Sequence, residues 1–251
     1  MAMQEARQAR QFGYEVSPHP AYASSAAQEY VGRVNEAVTK VAERLDLAKG
    51  VLGFVMFAVL FLILGWGAMG EGLQIAVVLV GSWVVPIAVG LRIGFGTSLA
   101  KGRKVADEQE RVLRDHPWQV WPCRVENLLA EEAAAASKDA GYLGRPQPHP
   151  PGGRIVSCRV HLLAPDGSTA RSYLCLLPGD VWDSMTDGLG ALWICGDLRE
   201  QVVVAVPGAA VCWQGRPVRT PAADGAGRTD SSVVEDIARQ AGIAAIQDWL
   251  G

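Results

Sequence analysis

The alternation of hydrophobic and polar positions divides the chain into an apolar region, two flanking helical patterns and a series of short β patterns. No charged residue occurs between Gly50 and Gly70, or between Gly72 and Leu91. Each stretch has about twenty residues, which is the length that a helix rising about 1.5 Å per residue needs to cross a hydrocarbon core about 30 Å thick. The pattern predicts two transmembrane helices, spans 50–70 and 72–91. The alternative is a pair of buried core helices in a soluble protein.

Glu71 and its glycine neighbours are all that separates the two spans, so we expect an antiparallel hairpin with both termini on one side of the membrane. Basic residues flank both spans and are absent from the turn: Arg33, Lys40, Arg44, Lys49, Arg92, Lys101, Arg103 and Lys104. By the positive-inside bias, both termini are predicted to be cytoplasmic and Glu71 to be external. The predicted location is the inner (plasma) membrane, as a multi-pass protein.

The helical patterns on either side of the spans predict a stalk. In Ser24–Lys49 the apolar residues recur at alternating steps of three and four, which is a heptad seam: Val31, Val34, Val38, Val41, Leu45 and Ala48. Arg92–Asp115 is also predicted to be helical and to end before Pro117. Their similar lengths predict an antiparallel coiled-coil stalk, which with the spans forms a domain over residues 24–116 and allows homo-oligomers. The alternative is that these helices lie on the lipid surface.

Two segments are predicted to be flexible. Residues 1–23 are polar, are interrupted by Pro18 and Pro20, and show no apolar period, which predicts a disordered tail. Residues 214–230 are rich in glycine, proline and polar residues, which predicts a linker.

A terminal amphipathic helix is predicted at residues 231–251. Ser232 and Glu235 have the Ser-x-x-Glu spacing of a capping box, and apolar residues cluster on one face of the helix that follows. Such a helix either caps the β domain of its own chain or docks on another protein, and the sequence leaves both readings open.

Short β patterns fill residues 117–213, which we interpret as a cytoplasmic β domain. Strands are predicted at Gln119–Val125, Ile155–Leu163, Thr169–Leu177, Ala191–Gly196, Gln201–Val206 and Ala209–Trp213. The Asp-Gly pair within Ala164–Ser168 predicts a hairpin, and Asp197–Glu200 predicts a second one. Because a short open sheet leaves unpaired edges, we expect a small antiparallel β barrel or roll, with residues 131–153 as an insertion. Whether it is SH3-like, OB-like or PH-like stays open.

The predicted fold class is therefore a membrane α-helical hairpin with a cytoplasmic helical stalk, followed by a small antiparallel β barrel (α+β) and a C-terminal helix. The region from Pro117 onward carries 11 basic and 15 acidic residues, a net charge of −4. This region lacks the basic surface that nucleic-acid binding needs, so no nucleic-acid partner is expected. The absence of charged residues within the spans argues against a transporter or proton relay acting alone.

Motifs for known chemistry are absent from the sequence. It has no phosphate-binding loop, no His-Glu-x-x-His and no Gly-x-Ser-x-Gly. A metal set of His161, Cys158 and Cys123 is disfavoured because His161 and Cys158 fall on opposite faces of their predicted strand. We therefore predict no catalytic, cofactor-binding or metal residue, no cofactor, and a protein that is not an enzyme.

The cysteines carry a prediction about packing. Each lies in a different predicted strand: Cys123, Cys158, Cys175, Cys195 and Cys212. The predicted cytoplasmic location is reducing, so an odd set of five thiols is not a disulfide framework. In the first two strands the cysteine shares its face with apolar neighbours, which indicates a small buried hydrophobic side chain.

Composition and layout carry a resemblance. The Ala-, Val-, Gly- and Arg-rich composition, the predicted hairpin and the stretch SMTDGLGALWICGDLREQVVVAVPGA (Ser184–Ala209) together resemble uncharacterised actinobacterial two-span membrane proteins with a small cytoplasmic β domain. The layout also resembles bacterial membrane proteins in which a helical hairpin precedes a PH-like or barrel domain. Neither resemblance implies an activity.

Two functional hypotheses follow from the sequence. The first is a membrane-anchored cytoplasmic protein-interaction or scaffold module, whose partners are the lipid bilayer and a protein of unknown identity. The alternative is an accessory or pore-forming subunit of an oligomeric membrane channel or transport complex.

Overall fold

The computed structural model describes residues 7–64, 100, 102–129, 154–209, 212–218 and 228–250. The chain divides into two compact units. Met1–Val34 and Ala106–Gly251 form the first, which we call the barrel unit, and Asn35–Val105 form the second. The insertion predicted at residues 131–153 lies outside the described residues.

A closed antiparallel barrel of six strands is the centre of the barrel unit. The strands of the sheet are β1 (Val16–Pro20), β2 (Pro117–Asn127), β3 (Ile155–Leu163), β4 (Thr169–Pro178), β5 (Leu189–Cys195), β6 (Val202–Ala205) and β7 (Cys212–Pro217). The order is β1-β2-β3-β4-β7-β6-β5, and β5 also pairs with β2, which closes β2 to β7 into a barrel. The predicted antiparallel barrel is confirmed, and closure leaves none of its six strands with an open edge.

The strand bounds differ most from the predictions at the end of the barrel. β3 has the predicted bounds and β4 ends one residue beyond them. β7 was predicted at Ala209–Trp213 but begins at Cys212 and continues to Pro217. It therefore includes the first residues of the predicted linker, because Gly215 and Arg216 pair with β4. Residues 219–227 of that linker lie outside the described part of the chain.

Apolar side chains from alternating positions fill the barrel. Trp121 and Tyr173 are among the largest of the buried residues. Others in the same core are Cys123, Val125, Cys158, Val160, Leu162, Cys175, Leu177, Leu192, Ile194, Val202, Val204 and Trp213. The phenolic hydroxyl of Tyr173 donates to the carbonyl of Leu198 (2.7 Å), so this buried polar group is satisfied. Side chains occupy the barrel interior, as expected for a barrel of this strand number.

The predicted hairpin at Ala164–Ser168 joins β3 to β4. The amide of Ala164 donates to the carbonyl of Ser168 (2.8 Å), and the amide of Gly167 donates to the carbonyl of Ala164 (2.9 Å). Gly167 has a φ of +80°, a left-handed conformation that glycine adopts at little cost. Its carbonyl accepts from the amide of Thr229 (3.1 Å), so the turn also holds the chain that leads into the terminal helix.

The N-terminal segment is ordered against the barrel, so the prediction of a disordered tail over residues 1–23 is wrong for residues 7–23. Helix α1 (Arg7–Gln11) is followed by β1, which pairs with β2, and by a 3-10 turn at Ala21–Ala23. Tyr14 is buried against Trp121, with ring centroids 5.1 Å apart. The few apolar residues of the N-terminal segment contact β2. The local sequence pattern does not reveal these long-range contacts.

Two helices are described between β1 and β2. Helix α2 is Ser25–Leu64, and helix α3 covers residues 102–115. The amide of Ala21 donates to the carbonyl of His116 (2.9 Å), and the hydroxyl of Tyr30 donates to Gln109 Oε1 (3.0 Å). The beginning of α2 and the end of α3 therefore lie side by side within the barrel unit. The boundary predicted between residues 116 and 117 falls inside this unit.

The second unit contains the rest of α2 and residues 102–105 of α3. Within it, Glu36 and Lys40 form an ion pair (2.7 Å), and the hydroxyl of Thr39 donates to the carbonyl of Asn35 (2.9 Å). Among the described residues, no helix combines the length and the hydropathy of a membrane span. Residues 65–70 of the first predicted span and all of span 72–91 lie outside them.

Helix α5 (Ser231–Leu250) confirms the predicted terminal helix, although its cap differs from the prediction. Oδ1 of Asp230 accepts from both the amide and the hydroxyl of Ser232 (2.9 Å each), so Asp230 is the capping residue and Ser232 lies in the first turn. These two hydrogen bonds hold the pKa of Asp230 below its usual value. A carboxylate at this position also faces the positive end of the helix dipole.

Helix α5 packs on its own barrel. Its inner face contacts β1, β2 and β5, and Val234, Ala241 and Ala245 are buried there. The sequence left open whether this helix packs on its own chain or on another protein. In the structure it packs on the barrel of its own chain. A short helix, α4 (Gly179–Asp183), follows β4 and contacts β3 and β4.

We expect Gly167→Ala to lower the free energy of unfolding of the barrel unit by about 1–3 kcal/mol. A Cβ at this position would lie 1.8 Å from the carbonyl oxygen of Thr229, and the positive φ adds strain. Urea unfolding of the full chain measures the change.

Gly32→Ala in helix α2 is the matched control for this substitution. Its Cβ would have no neighbour within 4 Å, so alanine is expected to stabilise the helix by up to about 1 kcal/mol. Equal stability of the two variants would contradict the role assigned to the turn.

Candidate functional site

The five cysteines are buried in five different strands, as expected. Cys123, Cys158 and Cys175 face the barrel interior, where burial raises the pKa of each thiol, that of Cys158 to about 12. The thiol of Cys195 lies outside the barrel, within 3.5 Å of two carbonyl oxygens at the end of α3. Burial also raises the pKa of Cys212 to about 12. These thiols stay protonated near neutral pH, so none is an activated nucleophile.

His161 lies on the outer face of β3, away from Cys158 and Cys123. The structure therefore does not bring together the three residues considered as a metal set. Within the described residues, no group of three or more His, Cys, Asp or Glu side chains is placed to hold a metal ion.

A polar network surrounds His161 on the outside of the barrel. Its Nδ1 lies 2.9 Å from the hydroxyl of Ser172 on β4, and its Nε2 lies 3.2 Å from Oε2 of Glu126 on β2. Desolvation lowers the pKa of His161; Glu126 opposes this effect, while Arg124 and Arg159 add to it. The neutral imidazole can thus donate to one neighbour and accept from the other.

This network has the connectivity of a Ser-His-acid triad, but its burial argues against catalysis. The side chain of His161 is fully buried and Ser172 is 8% exposed. A nucleophile must reach its substrate, and neither cavity described below is lined by these residues. We interpret the network as structural: Nδ1 has the hydroxyl of Ser172 as its hydrogen-bond partner, and Nε2 has only the electrostatic contact with the Glu126 carboxylate.

A groove runs between the N-terminal segment and α5. We call it the α5 groove and define it by Phe12, Tyr14, Val234, Arg239, Ile243 and Ile246; its volume is about 690 Å³. The side chains of Ile243, Ile246 and Phe12 are 56%, 40% and 37% exposed. The hydroxyl of Tyr14 donates to the carbonyl of Leu163 (2.8 Å), which fixes one wall on the barrel.

The charges at the α5 groove are of both signs. Glu15 and Glu235 line it together with Arg239, which forms an ion pair with Asp236 one turn earlier in the helix. An apolar floor with a mixed polar rim is the composition of a protein-binding surface.

A second cavity lies at the other end of α5. We call it the tryptophan pocket and define it by Ser17, His19, Trp118, Trp193, Asp248 and Trp249; its volume is about 370 Å³. The ring centroid of Trp193 lies 6.1 Å from that of Trp118 and 5.4 Å from that of Trp249. Ser24, which caps the start of α2, also lines this pocket.

Sequence reasoning found neither cavity. Each is built from the N-terminal segment and α5, and the first of these was predicted to be disordered. The aromatic residues Phe12 and Tyr14 in an otherwise polar segment were the available signal, because such side chains usually find a packing partner.

No protein-family model, curated protein or solved structure matches this chain.

His161 is expected to make the stability of the barrel unit depend on pH. Its pKa is lowered in the folded chain, so the unfolded chain binds more protons as the pH falls through about 6.5. This contribution to the free energy of unfolding is complete above that pH, and it decreases below it by at most about 1.4 kcal/mol per pH unit.

Urea unfolding of the wild-type chain and of His161→Gln between pH 7 and pH 5 tests this expectation. The variant should lose less stability on acidification than the wild type does. His19→Gln removes an exposed imidazole and serves as the control. An unchanged pH dependence in His161→Gln would show that other groups cause it.

Proposed function

We propose that the protein is a membrane-anchored interaction or scaffold module. A helical hairpin holds the barrel unit at the cytoplasmic face of the inner membrane, and the outer surface of the barrel binds a protein partner. The observation that carries this proposal is the hydrogen bond from the amide of Ala21 to the carbonyl of His116 (2.9 Å), which joins the two ends of the helical region.

The contacts at these two ends support a hairpin. The chain leaves the barrel unit after Val34 and returns at Ala106, and further along the two helices the hydroxyl of Tyr30 donates to Gln109. Residues 50–70 and 72–91, which carry no charge, fall between these points. The chain thus leaves and re-enters the barrel unit at one place. The two apolar stretches between these points each have the length of a membrane span, which is the pattern expected of a two-span anchor.

The basic residues that flank both stretches support the cytoplasmic placement of the barrel. Packed side chains fill the interior of the barrel, so the interior has no room for a ligand. This supports binding at the outer surface of the barrel. Of the described surfaces, the α5 groove offers the most exposed apolar side chains, and such clusters are typical of protein-binding sites.

We expect Glu71→Cys to be labelled by a membrane-impermeant maleimide in intact cells, because the turn between the spans is external in this proposal. The natural cysteines are buried, so their background labelling is low. Gln240→Cys, on the exposed side of α5, is the matched control and should be labelled only after permeabilisation. Labelling of Glu71→Cys only in permeabilised cells would exclude the proposed topology.

The partner surface is tested with a photo-crosslinking amino acid at position 243 of the full chain in its native membrane. Ile243 lines the α5 groove, so irradiation should give a discrete adduct with one protein. The same amino acid at Gln240, which is exposed on α5 but does not line the groove, should give none. Equal adducts from both positions would indicate random collisions and remove the support for the groove.

A further inference from the structure

The α5 groove concentrates the exposed apolar surface of the barrel unit. Among the described residues, six large apolar side chains are more than a third exposed, and three of them line this groove: Phe12, Ile243 and Ile246. The other three do not line it: Leu129, Ile155 and Val233. Exposed apolar side chains that cluster in a concave surface are typical of a binding site.

The groove runs along α5. Its lining residues on this helix extend from Ser231 to Ile246, which is about four turns or about 22 Å at about 1.5 Å per residue. Most of them form two rows with a spacing of four residues, Val234-Ala238-Gly242-Ile246 and Glu235-Arg239-Ile243. A surface of this shape is long and narrow, so it suits an elongated occupant that lies parallel to α5.

The charges that remain free at the groove are negative. Glu15 on the N-terminal wall and Glu235 on the α5 wall are both exposed, and within the described residues neither has an ion-pair partner. Arg239 also lines the groove, but its guanidinium is paired with Asp236. The occupant that complements this surface is therefore apolar and basic.

The positions of the two carboxylates favour a helix over an extended chain. A Cβ at Gly242 would lie 3.1 Å from Cγ of Glu15, so Glu15 lies level with Gly242, seven residues or about 10 Å beyond Glu235 on the opposite wall. An amphipathic helix has an apolar stripe with a margin on each side, so basic residues on its two margins can reach both walls. An alternating strand directs its apolar side chains to one face and its charged side chains to the other, away from the groove.

We propose that the α5 groove binds a basic amphipathic helix of a partner protein. The apolar stripe of that helix packs against Phe12, Ile243 and Ile246, and lysine or arginine residues on its margins pair with Glu15 and Glu235. An amphipathic helix that lays its apolar face into a hydrophobic groove is a common mode of peptide recognition.

This inference deepens the proposed function, because it names the class of partner and rests on the barrel being an interaction module. The two can fail separately. A crosslinked protein at position 243 without binding of a basic helix would leave the interaction module in place and remove only this partner class. Binding of a basic helix without a crosslinked protein in the native membrane would support the groove and count against the proposed function.

The probe is a fluorescein-labelled peptide of eighteen leucine and lysine residues, arranged so that the leucines form one face of a helix. Its binding to the full chain is followed by fluorescence anisotropy. A peptide of the same composition in scrambled order has no apolar face, and a third peptide has glutamate in place of lysine. The wild-type chain should bind the lysine helix about tenfold or more tightly than either of the others.

The carboxylates are tested with Glu15→Gln and Glu235→Gln, which keep the shape of the side chain and remove its charge. Each should lower the affinity for the lysine helix about two- to fivefold at low salt, and the difference should disappear at high salt. Glu200→Gln removes the same charge from an exposed residue that does not line the groove, so this control should bind like the wild type.

The apolar contact is tested with Ile243→Ser, which should lower the affinity about tenfold. Val233→Ser is the matched control, because Val233 is exposed on the same helix and does not line the groove. All variants are measured under the same solution conditions, and thermal unfolding by circular dichroism verifies that they are folded.

Three results would overturn the proposal. One is equal affinity for the scrambled peptide, which would indicate general attraction between charges. Another is equal affinity of Glu235→Gln and Glu200→Gln, together with equal affinity of Ile243→Ser and Val233→Ser, which would place the peptide elsewhere on the chain. The third is an adduct between two copies of the chain from the crosslinker at position 243, which would assign the groove to self-association.

Discussion

The pairing of β1 with β2 is the constraint on which the described structure depends. Val16 pairs with Gln119 and Pro20 with Pro117, so the strand before α2 and the strand after α3 lie side by side. The hydrogen bond between Ala21 and His116 continues this pairing to the first residues of the helical region. The pairing therefore brings the start of α2 and the end of α3 together within the barrel unit.

Both candidate surfaces follow from this pairing, since each has one wall from the N-terminal segment and one from α5. Phe12 and Ile243 both line the α5 groove, and His19 and Trp249 both line the tryptophan pocket. The two chain ends meet over β2 and β5, where α5 covers the outside of the barrel. The accessible binding groups are therefore far apart in sequence, and they exist only when both ends are docked.

Burial decides which polar groups are left for chemistry. The thiols of Cys123 and Cys158 have raised pKa values because they lie among apolar side chains, and desolvation lowers the pKa of His161 despite the neighbouring Glu126 carboxylate. These groups are part of the packing and have little exposed surface.

Local features were predictable from the sequence by itself. Strict alternation marked β3, the Asp-Gly pair marked the hairpin at Gly167, and an apolar periodicity marked α5, because each depends on neighbours a few residues away. Only the tertiary structure decided that residues 7–23 are folded, with β1 as a strand, and that α5 packs on its own barrel. Segments with as few apolar residues as residues 7–23 acquire structure only from partners such as Gln119 and Trp121, more than a hundred residues away. The same holds for the pocket, whose tryptophans converge only when the barrel closes.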